Sequence, residues 1–451
     1  MVALRKSCLL VAVAVLALAA VWAGQGNDAW RGAAALGALL APIGIGAIPA
    51  LASYQYTSWI VGVVVAALAA PGYFLQIGPF DLGGVHVGAL DLRASWLVMA
   101  IVQLVMFGMG TKMSLRDFAG VAKMPGPVLV GVTLQFTVMP LTGFALAKAC
   151  GLPPEIGAGI ILIGSCSSGL ASNVMCYLAG ANLPLSITLT AVATLLAPLM
   201  TPFWMRLLAG EVVERSFLAM AVDIIKMTIV PIGAAMVHDA LKTPRPELRR
   251  TILAAAAACA AALLVLVLVA TRGASGGEGA AFNPNVILAI YCLAAPIVGV
   301  AYHYAVVRWS WIDRHMHVVS MFGIIYFTAV TTAAGRDNLL QAGVVLCLAA
   351  VLHNAIGYAA GYGISRAVGL DRQSALTVGF EVGMQNGGMA AGLAASMHKL
   401  GTLGLAAAVF SPWMNVSGSL WANYLRRKSR AAADEPAIKP VASDAAALSG
   451  R

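Results

Sequence analysis

Charge is scarce in this chain. Only 10% of its 451 residues are Asp, Glu, Lys or Arg, while 60% are hydrophobic. A soluble domain carries about 25% charge, so a soluble globular fold is excluded. The net charge of +10 does not form a basic nucleic-acid face, because the basic residues flank apolar runs; no nucleic-acid partner is expected. Metal-type cysteine patterns are also missing. Cys8, Cys150, Cys166, Cys176, Cys259, Cys292 and Cys347 form no CxxC pair and no Cys/His spacing, so they read as free thiols. There is no HExxH run and no acid–base constellation outside two polar islands described below, which leaves no basis for an enzyme.

Long apolar runs are what the chain does have. They lie near 8–24, 33–52, 57–76, 94–112, 126–148, 155–181, 184–208, 218–239, 250–271, 285–307, 318–335, 339–366, 373–398 and 402–425. Most approach the roughly 20 residues a helix needs to cross a bilayer. The fold class is therefore an all-α polytopic membrane protein. Arg5 and Lys6 precede the first run, which reads as a retained span rather than a cleaved signal. Basic residues gather on alternate connections: Lys112, Arg116 and Lys123; Lys242, Arg245, Arg249 and Arg250; Arg308 and Arg314; Arg426, Arg427, Lys428 and Arg430. The other connections are weakly charged: Asp81 with Asp91, the balanced 206–215 stretch and the flexible 273–279 stretch. The basic side is cytoplasmic, which puts both termini there. Residues 429–451 read as a disordered tail.

The runs fall into two halves, 57–208 and 209–428, each with an apolar helix, a Gly-interrupted polar segment and a last apolar helix. Five spans per half would make the halves inverted repeats. The apolar pair within 250–307 is then an insertion, and 1–56 adds N-terminal segments.

Each half carries one polar island inside an apolar run. The first is 164–173, with Ser165, Ser167, Ser168, Ser172 and Asn173 between and beyond Gly164 and Gly169. The second is 380–388, with Glu381, Gln385, Asn386 and three glycines. Polar groups at membrane depth are costly unless they line a cavity or bind something. A matched pair of Gly-interrupted segments is the best sequence pointer to a transporter's binding site. Glu381 is the sole acidic residue between Asp371 and the C-terminal tail. With Gln385 one helical turn on and carbonyls released at Gly383, it offers an all-oxygen set suited to sodium. An unwound centre also leaves helix N-termini inside the membrane, where they favour an anion. Ser186 and Thr190 share one helix face; alone they read as small packing residues. Gln135, alone, reads as interhelical glue. His353 with Asn354 has the same ambiguity. His303, His315 and His317 read as interfacial, and Asp223 with Lys226 as a pair.

The run from Ala171 to Thr190, with Phe380-Glu-Val-Gly-Met-Gln-Asn386, closely resembles the bile acid:sodium symporter family. Phe107-Gly-Met-Gly-Thr-Lys-Met-Ser-Leu115 and Gln135-Phe-Thr-Val-Met-Pro140 fit it too. The resemblance spans about 57–240 and 318–428. It implies a ten-helix core of two inverted five-helix repeats, with two crossing broken helices, here joined by about four peripheral apolar segments. It also implies two sodium ions. One would be held by Ser172, Asn173, Ser186, Thr190 and Glu381, the other by Gln135, Glu381, Gln385 and the backbone of Val382 and Met384. Asn386, Ser168, Leu170 and Asn173 would face the substrate. The family usually has Pro-Gly-Gly-Thr before Ala-Ser-Asn, whereas this chain has Ser167-Ser168-Gly169-Leu170, so the substrate need not be the family's.

The expected function is a sodium-coupled symporter importing an organic anion, such as a bile acid or another carboxylate or sulfonate, across a bacterial inner membrane. No obligate protein partner is expected. Two other readings are a proton-coupled exporter with Glu381 as proton carrier, and a non-transporting membrane sensor.

Overall fold

The apolar runs become helices because in lipid only a helix satisfies every backbone amide and carbonyl within one segment. In the computed structural model, residues 2–49, 51, 55–78, 80–82, 85–242, 245–273 and 284–434 are described. Helices α1 (Val2–Gly24) and α2 (Trp30–Ile45) form a hairpin that packs on α3 (Gln55–Ala69). The one-turn α4 (Gly72–Leu75) follows, then two small antiparallel ribbons: β1 (Gln76–Ile77) pairs with β4 (Leu90–Asp91), and β2 (Phe80–Leu82) with β3 (Val85–Val87). Helix α5 (Ser95–Gly110) and the one-turn α6 (Leu115–Phe118) and α7 (Gly120–Lys123) lead to α8 (Pro125–Ala149). The first half ends with the broken pair α9 (Pro154–Ser165) and α10 (Leu170–Ala179), and with α11 (Leu183–Trp204).

The second half opens with α12 (Phe217–Ile224) and α13 (Val230–Leu241), joined by a π turn. Helices α14 (Pro246–Gly273), α15 (Pro284–Arg308), α16 (Trp311–Ala334) and α17 (Arg336–Ala367) follow. The second broken pair is α18 (Arg372–Gly383) and α19 (Gly387–Ser396), before α20 (Leu405–Asp434). Among the described residues, eight helices are long and apolar enough to cross a membrane; several shorter apolar helices, including α9 and α10, accompany them.

Packing repeats between the halves. The α1–α2 hairpin lies on α3, and the α14–α15 hairpin lies on α13. Helix α5 packs on α13 as α16 packs on α3, and α8 packs on α9 as α17 packs on α18. Little of α14 or α15 is covered by protein, as suits helices that are apolar all round and face lipid.

Glycines set the tightest of these contacts. A Cβ on Gly357 would stand 2.8 Å from Gly383 Cα, and one on Gly361 would stand 2.9 Å from Gly379 Cα. Two Gly-xxx-Gly faces, one on α17 and one on α18, therefore meet backbone to backbone. This contact places α18, and with it Glu381.

Some expectations are corrected. The segment at 33–52 is helical only to Ile45, since Gly46 and the Pro49 region cannot prolong it. The tail is helical to Asp434, because 431–433 are alanines with high helix propensity; 435–451 lie outside the described residues, as do 274–283. His303 is buried rather than interfacial, with its ring centroid 5.3 Å from that of His238. His315 is exposed and contacts the Trp311 carbonyl; the His317 side chain lies outside what is described. Asp223 pairs with Lys226, and also with Arg215, each at 2.7 Å.

A crossing of two broken helices as the candidate site

Each helix break must dispose of freed backbone groups, and side chains from neighbouring helices do so here. At the end of α9, the carbonyl of Ser165 accepts from Thr201 Oγ1 (2.6 Å) and that of Cys166 from Gln135 Nε2 (2.9 Å). The Ser167 carbonyl accepts from the Asn386 amide (2.8 Å), and Ser168 bridges Gln385, so the two breaks touch. At the end of α18, the Val382 carbonyl accepts from Gln385 Nε2 (2.7 Å) and the Gly383 carbonyl from Asn354 Nδ2 (2.8 Å). Asn354 is itself fixed by Ser417, whose hydroxyl donates to Oδ1 at 2.7 Å. On the far side of the second break, Asn386 Oδ1 caps α19 by accepting from the Met389 amide.

Glu381 lies buried beside this crossing. Its Oε1 accepts from Ser172 Oγ (2.7 Å) and Ser186 Oγ (2.5 Å). Its Oε2 accepts from Ser168 Oγ (2.5 Å) and Thr190 Oγ1 (2.9 Å). Ser186 Oγ also stands 2.6 Å from Asn173 Oδ1. One hydroxyl has one proton and cannot satisfy both acceptors. With Glu381 ionised and Asn173 Oδ1 facing Ser186, one short oxygen–oxygen contact lacks a hydrogen, and a cation between the oxygens would relieve it.

A second cluster adjoins the first. Gln135 Nε2 donates to Gln385 Oε1 at 2.7 Å as well as to Cys166. Gln135 Oε1 is buried with no partner among the described residues. A buried acceptor without a donor costs about 1–3 kcal/mol, and a cation would supply what is missing. Among the described residues no group of three or more His, Cys, Asp or Glu could hold a metal. The donors are hydroxyls, amides, carbonyls and one carboxylate, a set for a hard cation.

The sequence-expected residues thus divide. Ser172, Asn173, Ser186, Thr190 and Glu381 meet in one cluster, and Gln135, Gln385 and the Val382 carbonyl in the other. Met384 is buried in the break between α18 and α19. Ser168 and Asn173 turn to the carboxylate cluster, whereas Leu170 and Asn386 line a neighbouring cavity of about 380 Å³. That cavity lies between the first turns of α10 and α19 on one side and α5 and α16 on the other. Leu170, Ala171 and Gly388, at the starts of these two helices, also line it, and their amides have no backbone acceptor among the described residues. Lys112, at the end of α5, stands at its rim.

Sequence reasoning leaves Asn354 ambiguous, misses Thr201 and reads Lys112 only as part of a basic connection. The sequence marks neither Thr201 nor Asn354 as part of this network, because each acts on a helix distant in the chain.

Comparison with known proteins follows the same lines. Residues 99–276 match the model of the Sodium Bile acid symporter family. The uncharacterized sodium-dependent transporter YocS of Bacillus subtilis (strain 168) is 29% identical over 84% of this chain and 92% of its own length. The chain is similar to members of the sodium bile acid symporter family. The probable sodium/metabolite cotransporter BASS1 of Arabidopsis thaliana, a chloroplast protein, is 25% identical over 85% of this chain and 79% of its own. The human ileal sodium/bile acid cotransporter is 33% identical over 31% of this chain and 40% of its own. These relatives are transporters rather than enzymes, and the long apolar helices make the chain an integral, multi-pass membrane protein.

Proposed function

We propose that this chain is a sodium-coupled symporter that imports an organic anion by alternating access. The observation that carries the reading is the oxygen excess at the crossing: a Ser186 hydroxyl shared by two acceptors, beside an orphaned Gln135 Oε1. Two sodium ions would relieve both. One takes Ser172, Asn173, Ser186, Thr190 and Glu381. The other takes Gln135, Glu381, Gln385 and the carbonyls of Val382 and Met384. Glu381, the one carboxylate among these ligands, serves both ions and so couples them.

Charge then selects the substrate. Two monovalent cations over one carboxylate leave a net positive charge, and the N-terminal ends of the α10 and α19 dipoles add to it. An anion in the 380 Å³ cavity would neutralise that charge, so ions and substrate favour each other's binding. Asn386 and the free amides of Leu170 and Ala171 would meet its carboxylate or sulfonate, and the Leu170 side chain its apolar part. Residues 57–208 and 209–428 form the inverted repeats, with 250–307 inserted and 1–56 peripheral. The helices around the crossing move as a core against a panel built on α3, α5, α13 and α16. Basic connections put both termini in the cytoplasm of a bacterial inner membrane.

Uptake by proteoliposomes tests the reading. With a panel of labelled organic anions and pH clamped, an inward sodium gradient should accumulate at least one of them, and an equal potassium gradient should not. Flux driven by pH alone, indifferent to sodium, would favour the proton-coupled exporter instead.

A further inference from the structure

A second cavity, of about 480 Å³, opens on the surface where the end of α17, the start of α18 and the last apolar turns of α20 meet. Its floor is apolar: Leu376, Leu425 and the face of Trp421. Its rim carries Arg372, Lys428 and the largely exposed Tyr424. Neither Arg372 nor Lys428 has a carboxylate partner among the described residues. The nearby acid, Asp371, turns its Oδ1 to the amides of Gln373 and Ser374 as the cap of α18. The Ser374 hydroxyl first, and then the Ser374 and Gln373 amides, hold its carboxyl below the usual range.

The position of this cavity is as informative as its lining. On α20 the aromatic residues Trp421 and Tyr424 give way directly to Arg426, Arg427 and Lys428. Aromatic rings followed by a basic run mark a membrane–water boundary, on the side the positive-inside rule makes cytoplasmic. An apolar floor below a cationic rim at headgroup depth fits an amphiphile whose anionic group sits between two cations and whose chains leave toward lipid.

We infer that this cavity is a binding site for an anionic phospholipid of the cytoplasmic leaflet, with Arg372 and Lys428 on its phosphate and Trp421 and Leu376 against its glycerol and upper acyl carbons. The site is distinct from the ion crossing but joined to it. Trp421 packs on Phe380 with ring centroids 4.3 Å apart, and on Tyr358 at 4.9 Å. Phe380 immediately precedes Glu381. A lipid that holds Trp421 in place thereby stiffens the turn of α18 that carries the carboxylate.

The test uses the full chain, purified in a neutral detergent, with lipid binding read by native mass spectrometry during titration. Phosphatidylglycerol should bind in preference to phosphatidylcholine. In Arg372→Gln/Lys428→Gln that binding should weaken by roughly tenfold or more, since each basic group near the surface contributes about 1 kcal/mol. Arg426→Gln/Arg427→Gln removes equal charge from residues that do not line the cavity and should change binding by about twofold at most. Millimolar inorganic phosphate should not compete. All four side chains are exposed, so both variants should fold, and monodisperse elution checks this. Three results would overturn the inference: no preference for phosphatidylglycerol, equal losses in the two double variants, or competition by free phosphate. The second would mean diffuse attraction, and the third a soluble-anion site.

Discussion

Glu381→Gln should abolish sodium-driven uptake, with a fall of roughly 100-fold or more. The substitution keeps the size of the side chain and removes its charge. Four hydroxyls now converge on the carboxylate, and hydrogen bonds to a charged group each contribute about 1.5–3 kcal/mol. About 2.7 kcal/mol corresponds to a hundredfold change in an equilibrium constant, so weakening two such bonds would suffice. The larger loss is to the ions. Without the carboxylate, either sodium would sit among neutral oxygens with no compensating charge, at a depth where water cannot help. The measurement is initial uptake rate into proteoliposomes, at matched protein content and with monodispersity checked. Uptake in the variant at the native rate would remove Glu381 from the mechanism.

The second large effect comes from a residue that touches neither ion nor substrate. Gly361→Leu should destabilise the folded protein by about 3 kcal/mol or more, because the new side chain must enter a backbone-to-backbone contact. Its Cβ alone would lie 2.9 Å from both Gly379 Cα and the Val378 carbonyl oxygen. Backbone cannot step aside as a flexible side chain can, so α18 must shift and the oxygens gathered on Glu381 must part. Gly363 is the control on the same helix. A Cβ there meets nothing within 4 Å, and Gly363→Leu should lie within about 0.5 kcal/mol of the native protein. Thermal unfolding in detergent reads both. Equal behaviour of the two variants would mean that the glycine faces do not set the position of α18.

The membrane class, the two islands and most helix positions are legible in the sequence for one reason. Lipid forces apolar helices and penalises isolated polar groups, so departures stand out. Glu381 is conspicuous because an acid in an apolar run has no bland explanation. Thr201, Asn354 and the facing glycines of α17 and α18 are not conspicuous. A threonine that satisfies a broken helix's carbonyl looks like any threonine in a span, and Asn354 alone could be packing glue. Their roles appear only when residues distant in sequence meet, as Asn354 meets Gly383 at 2.8 Å. Ser168 shows the same limit. The family resemblance implies that it faces substrate, yet its hydroxyl points to Glu381, beside the β-like bridge that Ser168 makes to Gln385. Leu170, one helical turn from Asn173, was singled out by its departure from a family pattern, and its place at the cavity is what gives that departure meaning.

If the crossing binds sodium through Glu381, sodium should stabilise the folded chain and the stabilisation should need the carboxylate. The measurement is thermal unfolding of the purified full chain in sodium chloride against potassium chloride, for the native protein and for Glu381→Gln. A ligand bound only by the folded state stabilises it by mass action, by about 2.7 kcal/mol at a hundred times its dissociation constant. The native chain should unfold at a higher temperature in sodium, and the variant should show no difference between the salts. Identical unfolding of the native chain in both salts, at concentrations up to several hundred millimolar, would contradict sodium binding at the crossing.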